Sequence, residues 1–155
     1  MNEPFIVNPG DGRRLALGNF EAVVLADAQA TSGAFTVLQT QREPPDFGPP
    51  MHVHRDAAEA FYVLEGTYLM FIEDRQDVCP PGSFVYVPAN VEHTFKVISD
   101  GPGKKLNIFS PAAMVGFFEE LAEAEANGTA SPELLTHISE RHQMGIVGPV
   151  PETYL

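Results

Sequence analysis

His52 and His54 stand two residues apart in the stretch GPPMHVHRDAAEAFYVLEG (48–66), and Glu59 follows five residues after His54. Along an extended strand, alternate side chains share a face about 7 Å apart. Both imidazoles can therefore converge on one ion while Val53 faces away. The intervening RDAA allows a turn, after which Glu59 heads a new strand that can lie beside the histidines. His93, in PANVEHTF (88–95), begins a later strand after its own turn and is the candidate for a fourth ligand. Three imidazoles and a carboxylate suit Fe, Mn, Ni, Co, Cu or Zn without choosing among them. Four protein ligands leave two positions open on a six-coordinate ion. Open positions serve binding or catalysis, whereas closed thiolate sites serve structure.

Those residues need strands to hold them, and the surrounding chain supplies strand patterns. Residues 20–43 contain two β-rich runs on either side of Ser32-Gly33, and the proline-rich PPDFGPP (44–50) is a loop. MHVH, EAFYVLEG, TYLMFIED, SFVYVP and HTFKVIS follow in quick succession, separated by RDAA, Gly66, RQDVCPPG and ANVE. KLNIFS (105–110) adds one more. Many short, closely spaced strands favour an antiparallel sandwich or barrel over a βαβ layout.

After Ser110-Pro111 the pattern turns helical. Met114, Val115, Phe117, Phe118, Leu121 and Ala122 recur at helical spacing, with Gly128 as a stop. A second helix opens on Ser131 as N-cap, with Pro132 in its first position and Glu133 near the positive dipole end, and Gly145 is read as its close. The expected architecture is an all-β barrel over residues 1–110 and a two-helix extension, 111–155, packed outside the same domain.

Strand alternation also suggests a cavity lining. If Glu59 points inward, so do Phe61 and Val63; if His93 does, so do Phe95 and Val97. The result is an apolar chamber beside a charged ion, suited to a flat ligand bearing one or two oxygen donors. Phe35, Val37, Gln39 and Gln41 share one face of an earlier strand. Turned inward, Gln39 and Gln41 supply polar contacts near the mouth; the alternative is a solvent-facing edge. Phe61, Phe95, Gln39 and Gln41 are thus the candidate substrate-binding residues.

Other features narrow the function by exclusion. His137 and His142 lie five apart on a helix, about 140° around its axis, and cannot chelate together. Cys79 sits in a proline-flanked turn without an activating neighbour. As the single cysteine it has no disulfide partner within the chain, which fits a reducing cytoplasm. A net charge of −12 repels phosphate backbones and anionic lipid surfaces. No apolar run is long enough to span a bilayer, and MNEPFIVNPGDGRR lacks the pattern of a secretory signal. A small molecule is the expected partner, with neither nucleic acid nor membrane.

Residues 48–66 and 82–97 resemble the two signature motifs of the cupin superfamily. Gly48, His52, His54, Glu59 and Gly66 follow the first; Gly82, Pro88 and His93 follow the second. Gly48 lies closer to His52 than the pattern has it, Asn90 replaces a glycine, and Val97 replaces a terminal asparagine. Asn tolerates the left-handed backbone that such a glycine serves. The resemblance implies a double-stranded β-helix, or jelly-roll barrel, and a homodimer. It is closest to single-domain, quercetin dioxygenase-like cupins. By that likeness His52, His54, Glu59 and His93 hold one divalent transition metal per chain, and Glu59 doubles as the catalytic base. The implied activity is a dioxygenase acting on a small phenolic, enol or diketone substrate. A non-oxidative isomerase or lyase and a non-catalytic ligand or metal binder are the alternatives, because one fold hosts many chemistries.

Overall fold

The computed structural model describes residues 3–151. Strands β1 (Arg13–Leu17), β2 (Phe20–Ala26) and β3 (Thr36–Glu43) precede the proline loop. β4 (Met51–His54), β5 (Ala58–Glu65), β6 (Tyr68–Ile72), β7 (Arg75–Cys79), β8 (Phe84–Val87), β9 (His93–Val97) and β10 (Gly103–Ser110) follow it. Helices α1 (Val115–Asn127) and α2 (Pro132–Arg141) and a last strand, β11 (Met144–Gly148), complete the chain. One sheet has the order β1-β2-β3-β10-β5-β8 and the other β11-β4-β9-β6-β7. Every pairing is antiparallel. This is the expected jelly roll.

Alternation turns one face of each sheet into the core. β5 buries Glu59, Phe61 and Val63, and β9 buries His93, Phe95 and Val97. Phe61, Tyr68, Met70 and Phe95 pack at one end of the barrel. At the other end, Leu38 and Phe109 meet Met114, Phe117 and Ile138 from the C-terminal segment. Each fully buried large apolar side chain contributes roughly 1.5–3 kcal/mol to this packing.

Backbone constraints hold the motif turns. Gly66, at φ +73°, makes the turn from β5 to β6, and a Cβ there would lie 2.9 Å from the Pro102 carbonyl oxygen. Gly48 packs against β9 so closely that a Cβ would come within 2.1 Å of the Phe95 oxygen. Asn90 takes the left-handed conformation anticipated for it, at φ 66°. Its backbone N–H donates to the His54 carbonyl at 2.8 Å, tying the second motif to the first.

The helices begin and stop as their caps dictate. Ser131 Oγ accepts from the Leu134 N–H at 3.1 Å, Pro132 opens α2, and Gly128 ends α1 in the left-handed region. Four features differ from the sequence reading, the first being β1, which precedes every run read as a strand and pairs with β2. RQDVC, read as part of a connection, is β7; four of its five side chains are exposed, so it carries little apolar alternation. Gly145 does not close α2, which ends at Arg141 with His142 as its cap. It lies instead in β11, opposite Val53 of β4, so the tail returns a strand to the barrel. The helices also do more than pack outside: Phe117, Phe118 and Leu121 of α1 line the internal cavity.

Candidate metal centre

β4 and β9 pair in a register that sets His52 opposite His93. His54 lies on the same inner face of β4, and Glu59 faces it from the start of β5. All four side chains are buried, and their ligand atoms lie within 4.8 Å of one another. The three imidazole rings stand 4.5 to 5.4 Å apart, centre to centre. The structure thus gathers all four residues singled out by spacing.

Hydrogen bonds decide which ring nitrogens face the centre. His52 Nδ1–H donates to the Pro50 carbonyl at 2.7 Å, leaving Nε2 as its lone pair. His93 Nδ1–H donates to the Val91 carbonyl at 2.9 Å. Such outer hydrogen bonds orient imidazoles for metal ligation and fix the tautomer. His54 Nε2 and His93 Nε2 approach Glu59 Oε2 at 2.8 and 2.9 Å. Both nitrogens of His93 face oxygen acceptors, which favours its protonated form. Burial opposes that charge, but the hydrogen bond and charge of Glu59 prevail and raise its pKa. Burial alone would raise Glu59 too; His54 and His93 overcome it and hold the carboxyl below its usual range. His52 gains no such partner. Burial, reinforced by the charges of His93 and His54, pushes it down to about 3.

This donor set fits a divalent transition ion. Two of the three imidazoles already have Nδ1 committed to a backbone carbonyl, and the carboxylate is ionised. His52, His54 and His93 would hold such an ion as neutral imidazoles, with Glu59 as an ionised carboxylate. His54 Nδ1 is buried without a protein partner.

A cavity of about 380 Å³ opens beside the cluster. Phe61 and Phe95 line it, as the alternation of β5 and β9 required. Gln39 and Gln41 do not. They project from the outer face of β3, where Gln39 Nε2 donates to Gln41 Oε1 (3.1 Å) and Gln41 Nε2 donates to Glu21 Oε1 (2.5 Å). The inner face belongs to Thr36, Leu38 and Thr40.

Six polar residues on the cavity wall were not found from sequence: Asn19, Thr40, Glu43, Lys105, Asn107 and Glu125. Lys105 Nζ is wholly buried and donates to Thr40 Oγ1 at 2.9 Å and Glu43 Oε1 at 2.8 Å. It also lies 4.0 Å from the centre of the Phe95 ring. The Tyr68 hydroxyl donates to Glu43 Oε2 in a very short contact. Burial, then the Glu43 charge, keeps that phenol protonated well above its usual range. Glu43 reaches inward because Arg42, at φ 59°, is an extra residue in β3: Glu43 pairs with Gly103 while Gln41 pairs with Lys104. The bulge reverses the facing that alternation assigns. Lys105 shares the buried face of β10 with Asn107 and Phe109, against the alternation of KKLNIF, whose Leu106 and Ile108 lie on the half-buried face.

Two antiparallel sheets closing over a cavity with a His-His-Glu-His cluster define a jelly-roll protein with a candidate metal site. Residues 39–109 match the model of the cupin domain family. Over 120 residues the chain is 29% identical to quercetin 2,3-dioxygenase of Bacillus subtilis, covering 77% of this chain and 35% of that protein. It therefore spans about a third of that relative's length. Among solved structures, KdgF from Halomonas sp. superposes with a TM-score of 0.62 at 13% identity, over 70% of this chain and 94% of that one. A cupin-like protein from Thermotoga maritima gives 0.58 at 16% identity, over 90% and 83%. At such identities these two likenesses concern the fold alone. Residues 39–109 thus match the cupin family, and the chain is similar to a protein of the quercetinase type. Among the described residues, no helix is long and apolar enough to cross a membrane.

Proposed function

We propose that this protein is a metal-dependent cupin dioxygenase for a small phenolic, enol or diketone substrate. His52, His54, Glu59 and His93 would hold one divalent transition metal. The observation that carries the reading is the convergence of three imidazoles and an ionised carboxylate on one buried point at the wall of an apolar cavity. A bound transition metal supplies Lewis-acid and redox chemistry there. The protein's own contribution is binding, orientation and exclusion of water. Phe61 and Phe95 offer ring faces to a flat substrate, and their burial keeps bulk water from it. Glu59 accepts the proton of an incoming hydroxyl. The imidazoles that hold it ionised also make it a weak base, so it suits acidic enols and phenols rather than alcohols.

The expected homodimer also has a candidate surface. β8 ends its sheet and exposes Phe84 and Tyr86 beside Tyr62, whereas β7, an edge of the second sheet, exposes Arg75, Gln76 and Asp77. Charges blunt an edge against pairing and aromatics do not. A second copy would pack on the β8 face, which light scattering of the wild type and a Phe84→Ser variant tests.

The function is tested by loading metal-free protein with each of the six metals and measuring oxygen uptake on quercetin and simple diketones. At least one metal should support uptake that is stoichiometric with substrate loss. Substrate loss without oxygen uptake would replace the proposal with a non-oxidative isomerase or lyase. Retention without turnover would replace it with a binding protein.

A further inference from the structure

The cavity beside the ligand cluster has an inner and an outer end, told apart by burial. His52, His54 and Glu59 lie at the inner end with almost no exposed surface. Phe20, Phe47, Phe118 and Leu121 are half-buried and line the passage outward. Among the lining residues only Asn19 and Glu125 are exposed, and they mark the mouth. Asn19 belongs to the turn between β1 and β2, and Glu125 to the last turn of α1. The Glu125 carboxylate reaches across to that turn: a Cβ at Gly18 would lie 3.4 Å from its Oε2. The barrel thus frames one side of the mouth and the C-terminal extension the other.

Glu125 is poorly placed for the stability of its own helix. A helix C-terminus carries a partial negative charge and favours cations. α1 has no basic residue in its last turn, where Glu125 stands instead. Glu119 pairs with Arg13 and Glu120 with Arg141. Among the described residues, Glu125 has no ion pair and no side-chain hydrogen bond. Lys105, the one lysine or arginine on the cavity wall, is committed to Glu43. A residue that breaks a local rule without a compensating contact points to a task other than folding. At the lip of the cavity, Glu125 is the first charge that an incoming molecule meets.

We infer that Glu125 selects ligands by charge at the mouth of the cavity, admitting neutral or cationic molecules and turning away carboxylates, sulfonates and other anions. Two like charges about 6 Å apart, at the boundary of protein and water, repel enough to change affinity roughly three- to ten-fold. A neutral molecule meets no such penalty and passes to the aromatic and aliphatic wall. Salt screens an exposed charge, so the selection weakens as ionic strength rises. It is a property of the entrance and holds whatever reaction the metal centre performs.

Two dyes built on one aromatic frame test this. N-Phenyl-1-naphthylamine is neutral, 1-anilinonaphthalene-8-sulfonate adds a single negative charge, and both brighten in apolar surroundings. Each is titrated by fluorescence into wild type and Glu125→Gln as purified, with metal content measured alongside. Asp74→Asn, in the exposed β6–β7 turn and off the cavity wall, removes the same charge elsewhere. At low salt, Glu125→Gln should tighten the anionic dye roughly three- to ten-fold and leave the neutral dye within about two-fold. The gain should vanish by about 1 M salt, and Asp74→Asn should reproduce none of it. The melting temperature of Glu125→Gln should hold or rise, because a charge opposed to the helix dipole is gone. An equal change for both dyes means that Glu125 only shapes the mouth, and a matching gain in Asp74→Asn assigns the effect to net charge. No gain for the anionic dye removes the selection outright. Leu121→Trp, or Leu121→Phe if the larger ring disrupts folding, narrows the passage and should weaken both dyes. Binding that survives this change, or wild type that takes up neither dye, means that ligands do not enter here. Each of these four results overturns the inference and leaves the metal reading standing.

Discussion

The ligand cluster and the Lys105–Glu43–Tyr68 group share one cavity, and both bury ionisable side chains almost completely. They differ in where the positive charge comes from. Lys105 brings its own cation to Glu43 and leaves no carboxylate oxygen over, so that group is complete within the protein. Glu59 instead meets two imidazoles, His54 and His93, whose charge depends on their protonation. Burying charge is tolerable only with a partner. One cluster is therefore a closed ion pair, and the other gathers four groups that could hold an ion.

The contrast breaks most visibly through metal content. Changing His93 or His52 to Ala should lower metal affinity on the order of 100-fold or more, beyond the effect of losing an outer hydrogen bond to a ligand. The double change Lys105→Met with Glu43→Gln should leave metal content as it was. Emission spectrometry on all three proteins decides it, and equal metal loss in the double variant would show that the clusters are not independent.

Stability probes the complete cluster. Lys105→Ala strands a buried carboxylate and should cost about 3–5 kcal/mol in denaturant unfolding. The double change, which keeps a hydrogen-bond acceptor for Tyr68, should recover most of that. A single variant no worse than the double would mean that Glu43 is not charged beside Lys105.

Acid probes the incomplete cluster. His52 is held neutral down to about 3 in the fold, whereas an unfolded imidazole takes its proton near 6.5. Below that value the unfolded chain binds the extra proton, so stability must fall as pH falls. His93 has a raised pKa, so its contribution is full below the unfolded value and is lost only as pH rises. Glu59, held low, adds its own loss at more acidic pH. Between about pH 6 and 4.5, one proton corresponds to about 1.4 kcal/mol per pH unit for the metal-free protein. Unfolding curves across that range should show this slope in wild type and its absence in His52→Gln.

The smallest effect is expected outside. Gln39→Ala removes one hydrogen bond on the outer face and should change stability by no more than about 0.5 kcal/mol, with quercetin affinity unchanged. A clear loss of affinity would return that strand face to the site.

How much of this was readable along the chain follows from how local each signal is. His52 and His54 share a face because strand geometry repeats every two residues, and Glu59 follows after one short turn. Phe61, Val63, Phe95 and Val97 inherit their direction from those ligands by the same rule. Gln39 and Gln41 obeyed it as well, and only the choice of face was left open. The strand β7 escaped notice because an exposed edge needs no apolar pattern, and β11 because Gly145 reads as a helix stop until Val53 is found opposite it.

Composition and spacing by themselves determined an all-β barrel, its four converging ligands and two aromatic walls, since alternation and turn chemistry act between near neighbours. Tertiary structure alone decided that a bulge at Arg42 turns Glu43 inward to meet Lys105, 62 residues away. It alone left Asn107 without a partner. Register between distant strands is set by the summed packing of both sheets, and no short window of sequence contains that sum.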